Sequence, residues 1–188
     1  MSYLQNAGTF LIQTVFGFAI VLFLLRVLLI AVGASFNEPI CRFVYTLTNR
    51  VVTPLRGIVP RWRRLESSSL LIAWLLALLQ FFLLVSLLGA HIGIGGLLLR
   101  ATTDTLDWIV LIEIVAIFAF CVLSFFPTMR YDSNFRLLAQ FIEPVVRPFR
   151  RLLPPLGGLD FSCWVASVVL VLVRMLAIAP LGDLALHL

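Results

Sequence analysis

Three charged side chains, Arg26, Glu113 and Arg174, stand inside apolar runs. A charge in such a run is costly unless it is paired, solvated or able to reach the interface. Arg26 is near enough to the end of its run, about 9 Å at the helical rise, to snorkel to headgroups. Glu113 and Arg174 lie at similar depth in the third and fourth runs. That match predicts an intramembrane Glu113–Arg174 ion pair, acting either as packing glue or as part of a polar path for an ion. Gln80, in the middle of the second run, is read as a group that hydrogen-bonds helix to helix. His91 and His187 have no third ligand at zinc spacing, and the three cysteines form no C-x-x-C pair. Cys121 and Cys163 sit in apolar runs and read as small hydrophobes. Cys41, on an amphipathic stretch, is either another or an acylation site. Gly93-x-Gly95-Gly96 follows no strand and is no phosphate loop. With no Ser/His/Asp, Cys/His or paired-carboxylate arrangement, the residues predict neither catalysis nor a metal or cofactor.

The elements that position these groups follow from composition. Hydrophobic residues make up 62% of the 188 and charged residues 12%, against soluble norms of roughly 45–50% and ~25%. Mean hydropathy is +1.10, so an all-α membrane protein is expected. Four runs reach the length needed to cross ~30 Å of hydrocarbon: residues 9–32, 67–90, 106–126 and 161–179. The first lacks a basic n-region and is read as a retained helix rather than a signal peptide. Between the first two runs, Ile40, Phe43, Val44, Leu47 and Val51 recur at helical spacing opposite Arg42, Thr46, Asn49 and Arg50. Between the last two, Phe135, Leu138, Ile142, Val145, Phe149 and Leu152 oppose Arg136, Gln140, Glu143, Arg147, Arg150 and Arg151. Both patterns describe amphipathic helices in the headgroup region. Each is expected to break at its prolines, with Pro144 and Pro148 dividing the second into a helix, a kink and a short piece. Ser67, Ser68 or Ser69 is a candidate cap for the second span, and Asp160 for the fourth, which should stop at Pro180.

The amphipathic stretches end in related sequences 94 positions apart. Pro54 answers Pro148, Arg56 answers Arg150, Pro60 answers Pro154, Glu66 answers Asp160 and Ser68 answers Ser162. The chain therefore reads as two tandem two-helix repeats, 1–92 and 93–188. Each carries an interfacial amphipathic helix and a Pro/Arg hinge, at 37–66 and 133–160. The second hinge, Pro148-Phe149-Arg150-Arg151-Leu152-Leu153-Pro154 followed by Gly158-Leu159-Asp160-Phe161-Ser162, closely resembles the repeat of the YggT/YlmG family of small integral membrane proteins. In the first copy Arg50 stands where the pattern has a proline, Gly57 where it has the second arginine, and Arg61 to Arg64 replace the proline-glycine turn. The resemblance implies a membrane protein linked to osmotic tolerance, cell division or membrane-complex assembly. It carries over no catalytic residues.

Orientation follows from the arginines. Eleven of the fourteen basic residues lie in connectors one and three, which the positive-inside rule places in the cytoplasm with both termini outside. That predicts a multi-pass protein of the cytoplasmic (inner) membrane. Two functions remain open. One is a non-enzymatic scaffold or assembly factor whose hinge arginines bind anionic headgroups and whose platform receives membrane-protein partners. The other is a small oligomeric ion channel or transporter serving osmotic balance. Direct contact with nucleic acid is not expected, because the positive charge lies between apolar runs.

Overall fold

A computed structural model describes residues 3–35, 38–55, 66–89, 92–124, 126, 132–152 and 161–186. Among these, every regular element is helical: α1 Tyr3–Val32, α2 Pro39–Leu55, α3 Ser67–Leu88, α4 Ile94–Ser124, α5 Ser133–Leu152, α6 Phe161–Val173, a π-helical turn Arg174–Ile178, and α7 Ala179–Leu184. Four helices are long and apolar enough to cross a membrane: α1, α3, α4 and the continuous Phe161–Leu184 segment. In hydrocarbon every backbone polar group must be satisfied within the segment, which is why uninterrupted apolar runs become helices.

Two spans extend well beyond their apolar runs. α4 begins at Ile94 rather than 106, because its polar first turns satisfy themselves. The hydroxyls of Thr102, Thr103 and Thr105 donate to the carbonyls of Leu98, Arg100 and Ala101, and Arg100 stands 3.0 Å from Asp104 one turn on. The fourth span does not stop at Pro180. The missing N–H and crowded ring of a proline normally break a helix. Here the backbone widens just before it: the Ala179 N–H reaches the Arg174 carbonyl, five residues back, and the helix continues to Leu184. Such π turns recur at functional sites.

α5 also continues as one helix through Pro144 and Pro148, where a division into two pieces was expected. Both rings lie on its exposed side, where the carbonyls they crowd can tilt outward. α5 buries Leu137, Phe141, Ile142 and Val146 and leaves Arg136, Gln140, Arg147 and Arg151 exposed. α2 differs. It buries Cys41, Val44, Thr48 and Val52, while the adjacent row Ile40, Phe43, Leu47 and Val51 stays exposed.

α1 packs most extensively on α3, and α4 touches α1, α3, α5, α6 and α7. α1 ends in a left-handed Gly33 at φ +76°, a conformation cheap only for glycine. The Ala34 N–H reaches the Leu29 carbonyl at 2.9 Å and the Gly33 N–H reaches Ile30 at 3.0 Å, a Schellman cap. Gln140 of α5 donates to the terminal Val32 carbonyl at 3.1 Å, and the Ser133 hydroxyl donates to Glu38 just before α2. These bonds bring α2 and α5 to the same end of the bundle.

At the other end, Gly182 of α7 lies so close to α4 that a Cβ would sit 2.9 Å from Arg100 Nη1. The same nitrogen donates to the Gly182 carbonyl at 3.3 Å. Gly182→Ala should therefore push the Arg100 guanidinium aside and break its bond to the Gly182 carbonyl, destabilising the protein by about 0.5–1.5 kcal/mol, read from thermal unfolding in detergent. The penalty should shrink when Arg100→Ala is added, and an unchanged penalty would show that the contact is not limiting.

Candidate functional site

Two polar sites are built into the bundle, one at each end. At the α2/α5 end, Arg26 is fully buried rather than snorkelling. Its Nε lies 2.6 Å from Glu66 Oε2 and its Nη2 3.2 Å from Oε1, a two-pronged pair. Nη1 donates to Thr48 Oγ1 at 2.7 Å, and the guanidinium carbon lies 4.6 Å from the Tyr45 ring centroid. Glu66 also accepts from the Ser69 hydroxyl at 2.8 Å. The pair thus joins α1, α2 and the start of α3. Glu66 occupies the N-cap position of α3 without a side-chain bond to the backbone, so none of the three serines serves as that cap. Arg26 signalled the site as a charge needing a counter-charge; Glu66, the acid just before the second span, is its partner.

At the opposite end a polar cavity of about 530 Å³ opens between α4 and the Phe161–Leu184 segment. Arg100, Asp104, Asp107, Arg174 and Asp183 line it. Arg174 is paired, but with Asp107 rather than the expected Glu113: Nε to Oδ1 is 2.5 Å and Nη2 to Oδ2 is 2.8 Å. Asp107 is six residues earlier on the same helix, about 9 Å along its axis. Asp107 is only the second residue of the 106–126 run, but because the helix begins at Ile94 it stands well inside α4, at the level Arg174 reaches. Glu113 is buried, and its Oε2 has no hydrogen-bond partner. The Arg100–Asp104 contact is an attraction between charges rather than a directed bond, since Arg100 Nε finds no hydrogen-bond acceptor. The cavity can hold small polar or charged species, but no nucleophile paired with a base lines it.

Of the hinge residues, Arg56, Pro60, Pro154, Gly158 and Asp160 lie outside the described residues, as do His91, His187 and Arg61 to Arg64. Pro54 falls in the last turn of α2, and Ser162 is buried at the start of α6. Arg150 Nη1 pairs with Glu143 Oε2 at 2.5 Å, while Arg151 is exposed. Among the described residues no group of three or more His, Cys, Asp or Glu could hold a metal.

The CCB3/YggT family model matches the chain twice, at residues 5–87 and 99–181. The chain belongs to the CCB3/YggT family. Its two matches are offset by 94 residues (99 − 5), the same offset at which the hinges repeat. The uncharacterized protein YggT of Escherichia coli (strain K12) is 32% identical over 178 residues, covering 91% of this chain and 89% of that protein. An uncharacterized protein of Pseudomonas aeruginosa is 32% identical over 183 residues, covering 95% and 92%. One of Vibrio alginolyticus is 31% identical over 173 residues, covering 87% and 89%. No solved structure matches the chain.

In this YggT-family chain the two repeats are held differently at equivalent positions. Shifting by 94 turns Arg26 into Phe120 and Thr48 into Ile142. Phe120 stacks on Phe135 with ring centroids 5.0 Å apart, and Ile142 is fully buried.

Removing one member of a buried pair strands the other, at a cost of about 3–5 kcal/mol. Arg26→Met and Glu66→Gln should each lower stability by that order in detergent melts, and the double variant should recover much of the loss. Additive losses would show that the two residues act independently. Cys41 is buried, and its thiol is pushed above its ordinary pKa by that burial, with the Glu38 carboxylate adding to it. It therefore stays protonated, and poorly nucleophilic, at pH values where an exposed cysteine has begun to ionise. In a Cys121→Ala/Cys163→Ala background, maleimide labelling at pH 7.5 should be at least roughly tenfold slower folded than denatured. Equal rates would reopen Cys41 as an acylation site.

Proposed function

We propose that this protein is a non-enzymatic scaffold of the cytoplasmic membrane, holding anionic lipid along one face and presenting that face to membrane-protein partners. One observation supports this reading most: α2 and α5 lie at the same end of the bundle, and both display arginines outward. Arg42 and Arg50 on α2, and Arg136, Arg147 and Arg151 on α5, are exposed. The exposed row Ile40, Phe43, Leu47 and Val51 beside the α2 arginines suits a helix seated between acyl chains and headgroups. In this reading the arginine end faces the cytoplasm, and the family's processes, osmotic tolerance or division, are served through assembly rather than transport.

A second reading draws on the charged cavity and on Glu113: a small oligomeric channel or transporter, with the Asp107–Arg174 pair at its outer mouth. Proteoliposomes containing only the purified protein separate the two. A basic residue near an anionic surface contributes ~1 kcal/mol. Replacing Arg147 and Arg151 by glutamine should therefore weaken recruitment of anionic lipid by about 2 kcal/mol, or roughly thirtyfold. Wild-type liposomes should pass no ions under an osmotic step. Ion flux in wild type that disappears in Glu113→Gln would replace the scaffold with the channel.

A further inference from the structure

Glu113 is buried well inside α4 with nothing bonded to one of its oxygens. The residue is 8% exposed, and its Oε2 is fully covered and accepts no hydrogen bond. One turn before it, Ile109 packs against a buried cluster that includes Ile20 and Ala73. One turn after it, Ile117 is fully buried in a cluster with Cys163 and Ala166. Residues four apart share a helix face, so the carboxyl stands on the face of α4 that carries the apolar core. It does not line the charged cavity.

An ionised carboxylate in such a place needs a cation, and among the described residues the helices packed on α4 bring none to it. Those helices are α1, α3, α5, α6, the π turn and α7. α1 carries Arg26, bonded to Glu66, and the exposed Tyr3 at its far end; α3 has no charged residue. On α5, Arg150 pairs with Glu143, while Arg136, Arg147 and Arg151 are exposed. α6 adds only the buried thiol of Cys163. The π turn carries Arg174, bonded to Asp107, and α7 the exposed Asp183. On α4 itself, Arg100 and Asp104 face each other at the charged cavity, and Cys121 lies two turns beyond Glu113. A metal ion is no better provided for. Calcium and magnesium take six or more oxygen ligands, and no described group of three or more His, Cys, Asp or Glu could hold one. A covered oxygen has room for nothing larger than hydrogen. We infer that Glu113 is a proton-binding site: in the folded bundle its carboxyl carries a proton, and releasing that proton loosens the helix packing around it. The neutral acid avoids the cost of burying a charge. Once ionised, the group must draw in water or part α4 from its neighbours, so the centre of the bundle responds to pH. The inference rests on neither the scaffold nor the channel reading and is compatible with both.

The test is infrared spectroscopy of the full chain in liposomes at pH 6, where an exposed glutamic acid, titrating near ~4.3, is ionised. A protonated carboxyl has a C=O stretching band that a carboxylate lacks. Glutamate isotope-labelled at its side-chain carboxyl shifts that band and leaves any aspartic acid band in place. Labelled wild type should show one shifted band, and Glu113→Gln should lose it. The other glutamates, Glu38, Glu66 and Glu143, accept from a hydroxyl or pair with an arginine, so labelled wild type decides alone if the variant does not fold. A proton held only by the folded state leaves on unfolding, so raising the pH favours unfolding. The wild-type unfolding temperature in detergent should therefore fall between pH 6 and pH 9, and Glu113→Gln should lose at least roughly half of that fall. No shifted band in wild type, or one that survives Glu113→Gln, would overturn the site. An equal fall in both proteins would overturn its link to packing.

Discussion

The buried Arg26–Glu66 pair is the constraint on which the first half of the molecule depends. The two residues are 40 positions apart, one within α1 and the other just before α3, yet neither charge is tolerable alone at that depth. Their pairing fixes how deep α1 sits relative to the start of α3, and Thr48 ties α2 to the same point. A surface ion pair would be screened and exchangeable; a pair with exposures of 0% and 2% is neither. The first connector is thereby anchored from beneath, and its exposed arginines are presented from a held helix rather than a loose loop.

At the described positions equivalent to Arg26 and Thr48, the second unit places apolar side chains instead. Phe120 on Phe135, and Ile142 in the core, pack where the first unit pairs and hydrogen-bonds. Apolar packing tolerates small shifts, whereas a two-pronged ion pair demands one geometry. The two halves thus share a repeat and differ in the chemistry that holds it. The first half carries the exposed apolar row of α2, and the second carries the arginine-rich α5.

Much of the helical plan was legible because long apolar runs have few alternatives in a membrane. The four spans, the two connecting amphipathic helices and the 94-residue offset all follow from residue type and period. Depth and partner choice were not legible. Asp107, the second residue of the 106–126 run, was not legible as the partner of Arg174, because hydropathy marks where apolar side chains begin, not where a helix does. Arg26 looked able to snorkel because its distance from the end of the run was readable, while the fold of the connector that returns Glu66 to it was not. Proline at 144, 148 and 180 was read as a break. The pattern cannot report whether a ring faces outward, as on α5, or whether the backbone widens to receive it, as before Pro180.

That widened turn also governs angular phase along the fourth span. Ala166, Leu170, Arg174, Ile178 and Gly182 are spaced four apart, and each is buried or half-buried. At about 100° per residue, the 16 residues from Ala166 to Gly182 would rotate a regular α-helix about 160° past four full turns. Gly182 would then point nearly away from where Ala166 points. Lengthening one turn subtracts from that drift, so a stripe at strict four-residue spacing stays directed toward α4 along the whole span. Removing one residue there would restore regular winding over fifteen residues, about 60° past four full turns, and would leave Gly182 still directed toward α4. An unbroken α-helix of the present length would instead turn that small, close-packing face toward lipid.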